Sequence, residues 1–136
     1  MKPISFQKKI KVIASDLDAQ NHVNNLRYME WVLEISEAHW VAKTSKETLS
    51  KYAWFVLTHY IEYKKQAFLG EELILKTWIK DYSNVKSKRC VEIIRESDNQ
   101  LIVSAESNWC FINQNTRKPT AIPKNIVQAF VEFDDE

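Results

Sequence analysis

Glycine is nearly absent from this chain: one residue, Gly70, in 136. Phosphate-cradling loops need several glycines for their backbone to close on an anion, so nucleotide folds built on such loops are excluded. Cysteine appears twice, as Cys90 and Cys110, and proline three times. Two thiols make no disulfide framework. Each reads as a small strand residue, and both are expected to stay free in a reducing, cytoplasmic setting. No apolar run is long enough for a signal peptide or a membrane span. A net charge of +1 provides no field to steer the chain towards nucleic acid or an acidic surface.

Apolar and aromatic residues are plentiful. Hydrophobic residues make up 45% of the chain, with five Trp, five Tyr and six Phe. That suffices for one packed core, and the length suits one domain spanning residues 1–136.

Periodicity divides the chain. Residues 4–14 alternate as a strand, with Phe6, Ile10, Val12 and Ala14 on one parity and Gln7, Lys9 and Lys11 on the other. Residues 15–23 form a polar loop. Residues 24–42 read as a helix whose polar positions, Arg27, Glu30, Glu34 and Glu37, form one narrow stripe. The rest of its surface is apolar, so it is expected to be wrapped by other elements. Asn24 is placed to cap it. Thr44 and Glu47 have capping-box spacing for a short helix at 45–52. Strands follow at 53–66, 71–81, 85–97 and 101–113, joined at Gly70, at Tyr82-Ser83-Asn84 and at Asp98-Asn99-Gln100. Such short connections imply antiparallel neighbours. Pro119 and Pro123 break the chain before a short helix or strand at 124–133 and an acidic, solvated tail. The fold class is α+β: one long helix wrapped by a curved antiparallel sheet of five to six strands.

The chemistry concentrates in the loop. Ser15-Asp16-Leu17-Asp18-Ala19-Gln20-Asn21-His22-Val23-Asn24-Asn25 has the highest polar density in the chain and leads into the start of the long helix. Unpaired N–H groups at a helix start carry partial positive charge and can hold a developing oxyanion. A carboxylate beside them can attack a carbonyl carbon or activate water. A thioester suits this arrangement, because its thiolate leaving group, with a thiol pKa of about 8.5, needs little acid assistance.

Asp16-Leu17-Asp18, then His22-Val23-Asn24-Asn25, then Tyr28, Trp31 and Leu33-Glu34 resemble the loop-helix signature of the 4-hydroxybenzoyl-CoA thioesterase family and of its acyl-carrier-protein thioesterase relatives. Tyr60-Ile61-Glu62-Tyr63 and Trp78-Ile79 fit the same pattern. The resemblance implies a hotdog fold and hydrolysis of an acyl thioester of coenzyme A or of acyl carrier protein. It places Asp18 at the catalytic carboxylate, as nucleophile or general base, and matches His22 to the histidine of the carrier-protein branch. That branch has Asn where this chain has Gln20. Its double-domain members are about twice as long, so the length resembles the acyl-CoA hydrolases instead. The branch with a His-Gly-Gly loop finds no matching glycines.

Gln20, Asn24 and Asn25 are the oxyanion and substrate-positioning candidates, with the two Asn also serving as caps. Tyr28 and Trp31 read first as core and second as acyl contacts. Lys86, Lys88 and Arg89, on one strand, are candidates for coenzyme A phosphates, against a plain solvated face. Asp16 reads as structural, bonding loop backbone. No role falls to His39 or His59, and neither a metal nor a cofactor is expected. The fold analogy implies a homodimer or a dimer of dimers, with the thioester channel between protomers. Two other activities use the same residue types: a 3-hydroxyacyl-thioester dehydratase or hydratase, whose motif differs in spacing and carries Pro where Asn21 stands, and a non-catalytic acyl-thioester binder.

Overall fold

The computed structural model describes residues 1–133; the acidic tail lies outside the described residues. The elements are β1 (Lys2–Pro3), β2 (Phe6–Lys11), a 3-10 turn (Ala14–Asp16), α1 (Asn25–Lys43), α2 (Lys46–Lys51), β3 (Tyr52–Tyr63), β4 (Glu72–Ser83), β5 (Lys86–Arg95), β6 (Gln100–Asn113), α3 (Lys124–Phe130) and β7 (Val131–Glu132). The five long strands form one antiparallel sheet in the order β2-β4-β5-β6-β3. β1 and β7 pair separately. The strand expected at 4–14 is shorter: β2 covers Phe6–Lys11, Val12 still donates to the Glu71 carbonyl ahead of β4 at 2.9 Å, and Ala14–Asp16 is a 3-10 turn. The uncertain terminal segment is both helix and strand.

Alternation decides which face of the sheet meets α1. On β5, Ser87, Arg89, Val91 and Ile93 point inward and are buried. The neighbouring residues Lys86, Lys88, Cys90 and Glu92 therefore belong to the outer face. Register slips at Val56/Thr58, Ile79/Asp81 and Ile93/Ile94 add twist and bend, which curves the sheet across the helix. Gly70 precedes β4 at φ +82°, with open space where a Cβ would stand, so the turn needs glycine for its backbone alone.

α1 buries Tyr28, Trp31, Val32, Ile35, Ser36 and His39. Its opposite side leaves Leu26, Leu33 and Val41 exposed. The curved sheet wraps the side of α1 that carries the buried residues, as expected, and Leu26, Leu33 and Val41 lie outside that cover within one copy. The polar stripe is solvated, as expected: Glu30 and Glu34 are exposed, and Arg27 pairs with Glu34 at 3.1 Å. Asn24 caps α1, its side chain accepting from the Leu26 N–H at 2.9 Å. At α2 the cap is Ser45, not Thr44; Ser45 accepts from the Thr48 N–H, and Glu47 in the first turn pairs instead with Lys51.

The core has two parts. One lies under the first half of α1, where Trp31, Val32 and Ile35 meet Leu75, Val91, Ile93 and Val103. The other lies under its second half and α3, where Phe111, Ile79, Ile126 and Phe130 meet Trp40, Tyr52 and Trp54. Between them sits His39, fully buried, stacked on Phe6 at 5.2 Å and edge-on to Phe130 at 4.8 Å. Cys90 is half-buried, Cys110 is buried, and both are free thiols. No helix among the described residues is long and apolar enough to cross a membrane.

Burial, reinforced by the charges of Arg89 and Lys43, pulls the His39 pKa down to about 3. The unfolded chain binds a proton at this position below about pH 6.5, whereas the folded chain refuses it until the pH is far lower. Stability from this group is therefore complete above that value and is lost as the pH falls, by about 1.4 kcal/mol per unit across the window. Burial lowers the His59 pKa too, in the same sense. Urea unfolding at pH 7 and pH 5 is expected to show the acid loss, and His39→Leu is expected to remove most of it; an unchanged slope in the variant would count against this assignment.

Candidate active site

The loop from Ile13 to Asn24 is tied down by Asp16. Its carboxylate is buried, accepting from the Ile13 N–H through Oδ2 and from Arg27 Nε through Oδ1, both at 2.9 Å. Its carbonyl accepts from the Asn24 N–H at 3.0 Å. One residue thus joins the end of the first strand region, the loop and the first turn of α1. The Arg27 guanidinium also lies over the Trp31 ring at 4.9 Å, which seats the pair on the core. Asp16 has the structural role the sequence suggests.

Asp18 heads a tight turn. Its N–H donates to the His22 carbonyl at 2.8 Å, and Oδ1 accepts from the N–H groups of Gln20 at 2.8 Å and His22 at 3.3 Å. Asn21 supplies the positive φ of 61° that the turn requires, a conformation asparagine tolerates. Among the described residues no protein donor reaches Oδ2. Asp18 therefore has one oxygen pinned and the other free.

A cavity of about 530 Å³ opens beside this oxygen pair, lined by Asp18, His22, Asn24, Asn25, Tyr28 and Tyr63, with Lys64, Lys65 and Gln66 beyond them. The helix start contributes unevenly. The N–H groups of Asn24, Leu26, Arg27 and Tyr28 are occupied within the chain, whereas the Asn25 N–H makes no hydrogen bond among the described residues. It is the open donor at the positive end of α1. His22 is half-buried, edge-on to Phe68 at 5.8 Å.

The other expected residues separate. Gln20 is exposed and meets Asp18 through its backbone; its side chain does not line the cavity. The Tyr28 ring is core, and its hydroxyl accepts from the buried Ala67 N–H at 2.9 Å. Burial pushes its phenol pKa up, and it still borders the cavity. Trp31 lies in the core on the sheet-facing side of α1, in line with the first of its two readings. Lys86 and Lys88 stand on the outer sheet face, Lys88 within 3.5 Å of Glu106, and do not meet Asp18 within one copy. Arg89 is on the opposite face from them, buried, so it cannot join them at a surface phosphate.

Lys64, Lys65 and Gln66 escaped the sequence reading. Their signal was a basic pair at a strand end, which is common and says nothing by itself. Only the crossing of β3 near the helix start sets them beside Asp18.

The two edges of the sheet differ. β2 presents Lys8, Lys9 and Lys11, with Lys9 paired to Glu72 and Glu96 at 3.0 and 2.9 Å. β3 pairs only with β6 and exposes Phe55, Leu57, Tyr60 and Tyr63. A charged edge resists further pairing, whereas a long apolar edge invites it.

Comparison with known proteins identifies the family and the fold. Over 122 residues the chain is 26% identical to the long-chain acyl-CoA thioesterase FadM of Escherichia coli (strain K12), covering 86% of this chain and 90% of that protein. Among solved structures, the fold matches Slr0204, a 1,4-dihydroxy-2-naphthoyl-CoA thioesterase from Synechocystis, with a TM-score of 0.80 at 19% identity, covering 92% of this chain and 94% of that one. It also matches the 12:0-ACP thioesterase from Umbellularia californica, with a TM-score of 0.80 at 16% identity, covering 95% of this chain but 51% of the other. These two structural likenesses concern the hotdog fold. A family model described as the thioesterase-like superfamily matches residues 12–130, and the chain belongs to that superfamily.

Proposed function

We propose that this protein hydrolyses acyl-CoA thioesters, releasing a carboxylic acid and free coenzyme A, with Asp18 as the group that delivers the attack. The observation that carries this reading is that Asp18, with one carboxylate oxygen unpaired, and Asn25, with its N–H unpaired, line one cavity among the described residues. A thioester carbonyl set between them has its oxygen at the positive end of α1 and its carbon towards Oδ2. Attack, by Oδ2 or by a water it deprotonates, places the negative charge on the carbonyl oxygen, where the Asn25 N–H receives it. Collapse breaks the C–S bond and expels the thiolate, a good leaving group at neutral pH; on the direct route this leaves an acyl–Asp18 mixed anhydride, which water hydrolyses to free the acid and restore the carboxylate. His22, on the same wall, orients the substrate or the water.

Lys64 and Lys65 are placed to meet the phosphates of the carrier, because they border the cavity from the end of β3. Coenzyme A, with its charged nucleotide, suits them.

A second copy completes the site. The free apolar edge of β3 favours pairing with its own symmetry mate, and the exposed Leu26, Leu33 and Val41 of α1 gain a cover in such a dimer. Antiparallel pairing sets the Tyr63 end of one β3 beside the Tyr52 end of the other. Tyr63 borders the Asp18 cavity. Tyr52 and Trp54 border a different cavity, on the far half of α1. The thioester carbonyl then lies at Asp18 of one protomer, and its acyl chain runs towards the second cavity of the other.

Four outcomes are expected. Asp18→Asn keeps an Oδ1 acceptor for the turn but loses the carboxylate, so kcat for acyl-CoA hydrolysis should fall by about 100-fold or more with the melting temperature little changed; a variant that still turns over removes Asp18 from the chemistry. The same assay on a crotonyl thioester should show thiol release without hydration. Reversing both charges in a Lys64→Glu, Lys65→Glu double variant should raise KM for acyl-CoA about tenfold and leave an acyl-N-acetylcysteamine substrate unaffected; equal effects on both substrates would argue against phosphate contact. Finally, Leu57→Glu combined with Tyr60→Glu should yield a folded, inactive single copy by sedimentation, whereas a wild-type protein that is active as a single copy would refute the shared site.

A further inference from the structure

The second cavity carries a chemical feature that simple hydrocarbon binding leaves unexplained. It measures about 470 Å³, a size typical of small-molecule sites, and lies between the second half of α1, the start of β3 and the inner faces of β5 and β6. Its walls are rich in aromatic surface from Trp40, Tyr52, Trp54 and Trp109. Among them is Arg89, which is 6% exposed.

A buried guanidinium is costly unless an anion accompanies it. Arg89 has none. Its Nη1 donates to Thr77 Oγ1 at 3.0 Å and to His39 Nδ1 at 3.0 Å, both neutral acceptors. No carboxylate lies within ion-pairing distance of it among the described residues. Burial draws its pKa down to about 10, which leaves it fully charged at neutral pH. His39 is neutral, so it neither shares a proton with Arg89 nor balances its charge. Glu37 also borders the cavity, but it is exposed and forms no ion pair with Arg89. The Trp109 ring also borders the cavity, while its indole Nε1–H is buried away from the open space and has no acceptor among the described residues. The cavity therefore combines apolar rings with a guanidinium that lacks a counter-ion.

We propose that this cavity receives an acyl group whose far end is a carboxylate, held by Arg89. The substrate is then the half-thioester of a dicarboxylic acid: thioester at one end, free carboxylate at the other, and a hydrocarbon span between the aromatic walls. This deepens the thioesterase reading and rests on it, because within one copy the cavity lies along the far half of a helix about 28 Å long, away from Asp18. Through the shared site, the carboxylate end of the substrate enters one protomer while its carbonyl meets Asp18 of the other. A methyl-ended chain of equal length would leave Arg89 buried and uncompensated. The site thus selects by what the missing anion leaves unpaired, which discriminates more strongly than apolar fit.

The test compares two acyl-CoAs of equal chain length, one ending in a carboxylate and one in a methyl group. The wild-type protein should favour the carboxylate-ended substrate in kcat/KM. Arg89→Met, which fills the same space without charge, should reduce the ratio of the two values by about 100-fold or more. Arg89→Lys, milder for folding because it keeps a cation at the site, should reduce it by a smaller factor. Binding of the free aliphatic dicarboxylate, followed by quenching of tryptophan fluorescence, reads the cavity without any turnover. It should be present in wild type and lost in Arg89→Met. A wild-type preference for the methyl-ended substrate, or a ratio that neither variant alters, overturns the proposal. If no thioester is hydrolysed at all but the dicarboxylate binds through Arg89, the carboxylate site stands and the hydrolase reading falls.

Discussion

The buried carboxylate of Asp16 is the constraint on which the site depends. Three neighbouring segments converge on it: the Ile13 N–H from the strand end, the Arg27 guanidinium from α1, and, through its own carbonyl, the Asn24 N–H at the helix cap. A carboxylate at 5% exposure tolerates burial only because its oxygens are saturated with donors, one of them charged. With those bonds in place, the loop cannot drift relative to the helix, and Asp18, two residues on, has a fixed relation to the Asn25 N–H. Arg27 in turn rests on Trp31, which is held by the core. The polar tie is therefore braced by apolar packing rather than by solvent-exposed charge, which contributes little.

The same helix presents different surroundings along its length. Its first turn meets a polar loop, a basic pair and a wide cavity; its second half meets aromatic rings and the buried Arg89. A single sheet face serves both, because alternation along β5 and β6 sends every second residue inward, whatever its chemistry. That is how Arg89 comes to share a face with Val91 and Ile93. A polar residue carried inward in this way has to be reconciled with its neighbours. Thr77 and His39 satisfy part of the guanidinium and leave its charge unbalanced.

The edges of the sheet follow a related logic. Lysines and their carboxylate partners keep the β2 edge solvated, while β3 leaves apolar side chains and an unpaired backbone edge in view. The incomplete cover of α1 belongs to the same picture: one sheet shields one side, and Leu26, Leu33 and Val41 remain in contact with water. Both surfaces become intelligible once a second copy is proposed to lie against them.

Local pattern was enough for the helix at Asn25–Lys43, the four long strands after it, the Asn24 cap, the structural part played by Asp16 and the polar loop that carries Asp18, because these follow from residue periodicity and from hydrogen bonds between near neighbours. The superfamily was legible there too, in the spacing from Asp16 to Glu34. What remained hidden depended on partners distant in sequence. Lys64 and Lys65 reach the Asp18 cavity only because β3 crosses near the helix start. Arg89 is buried away from Lys86 and Lys88 because its face of β5, shared with Val91 and Ile93, is the one the helix covers. Period and capping are written in neighbouring residues; which face is covered, and what an inward side chain finds there, is decided only when segments some fifty residues apart, such as His39 and Arg89, come into contact.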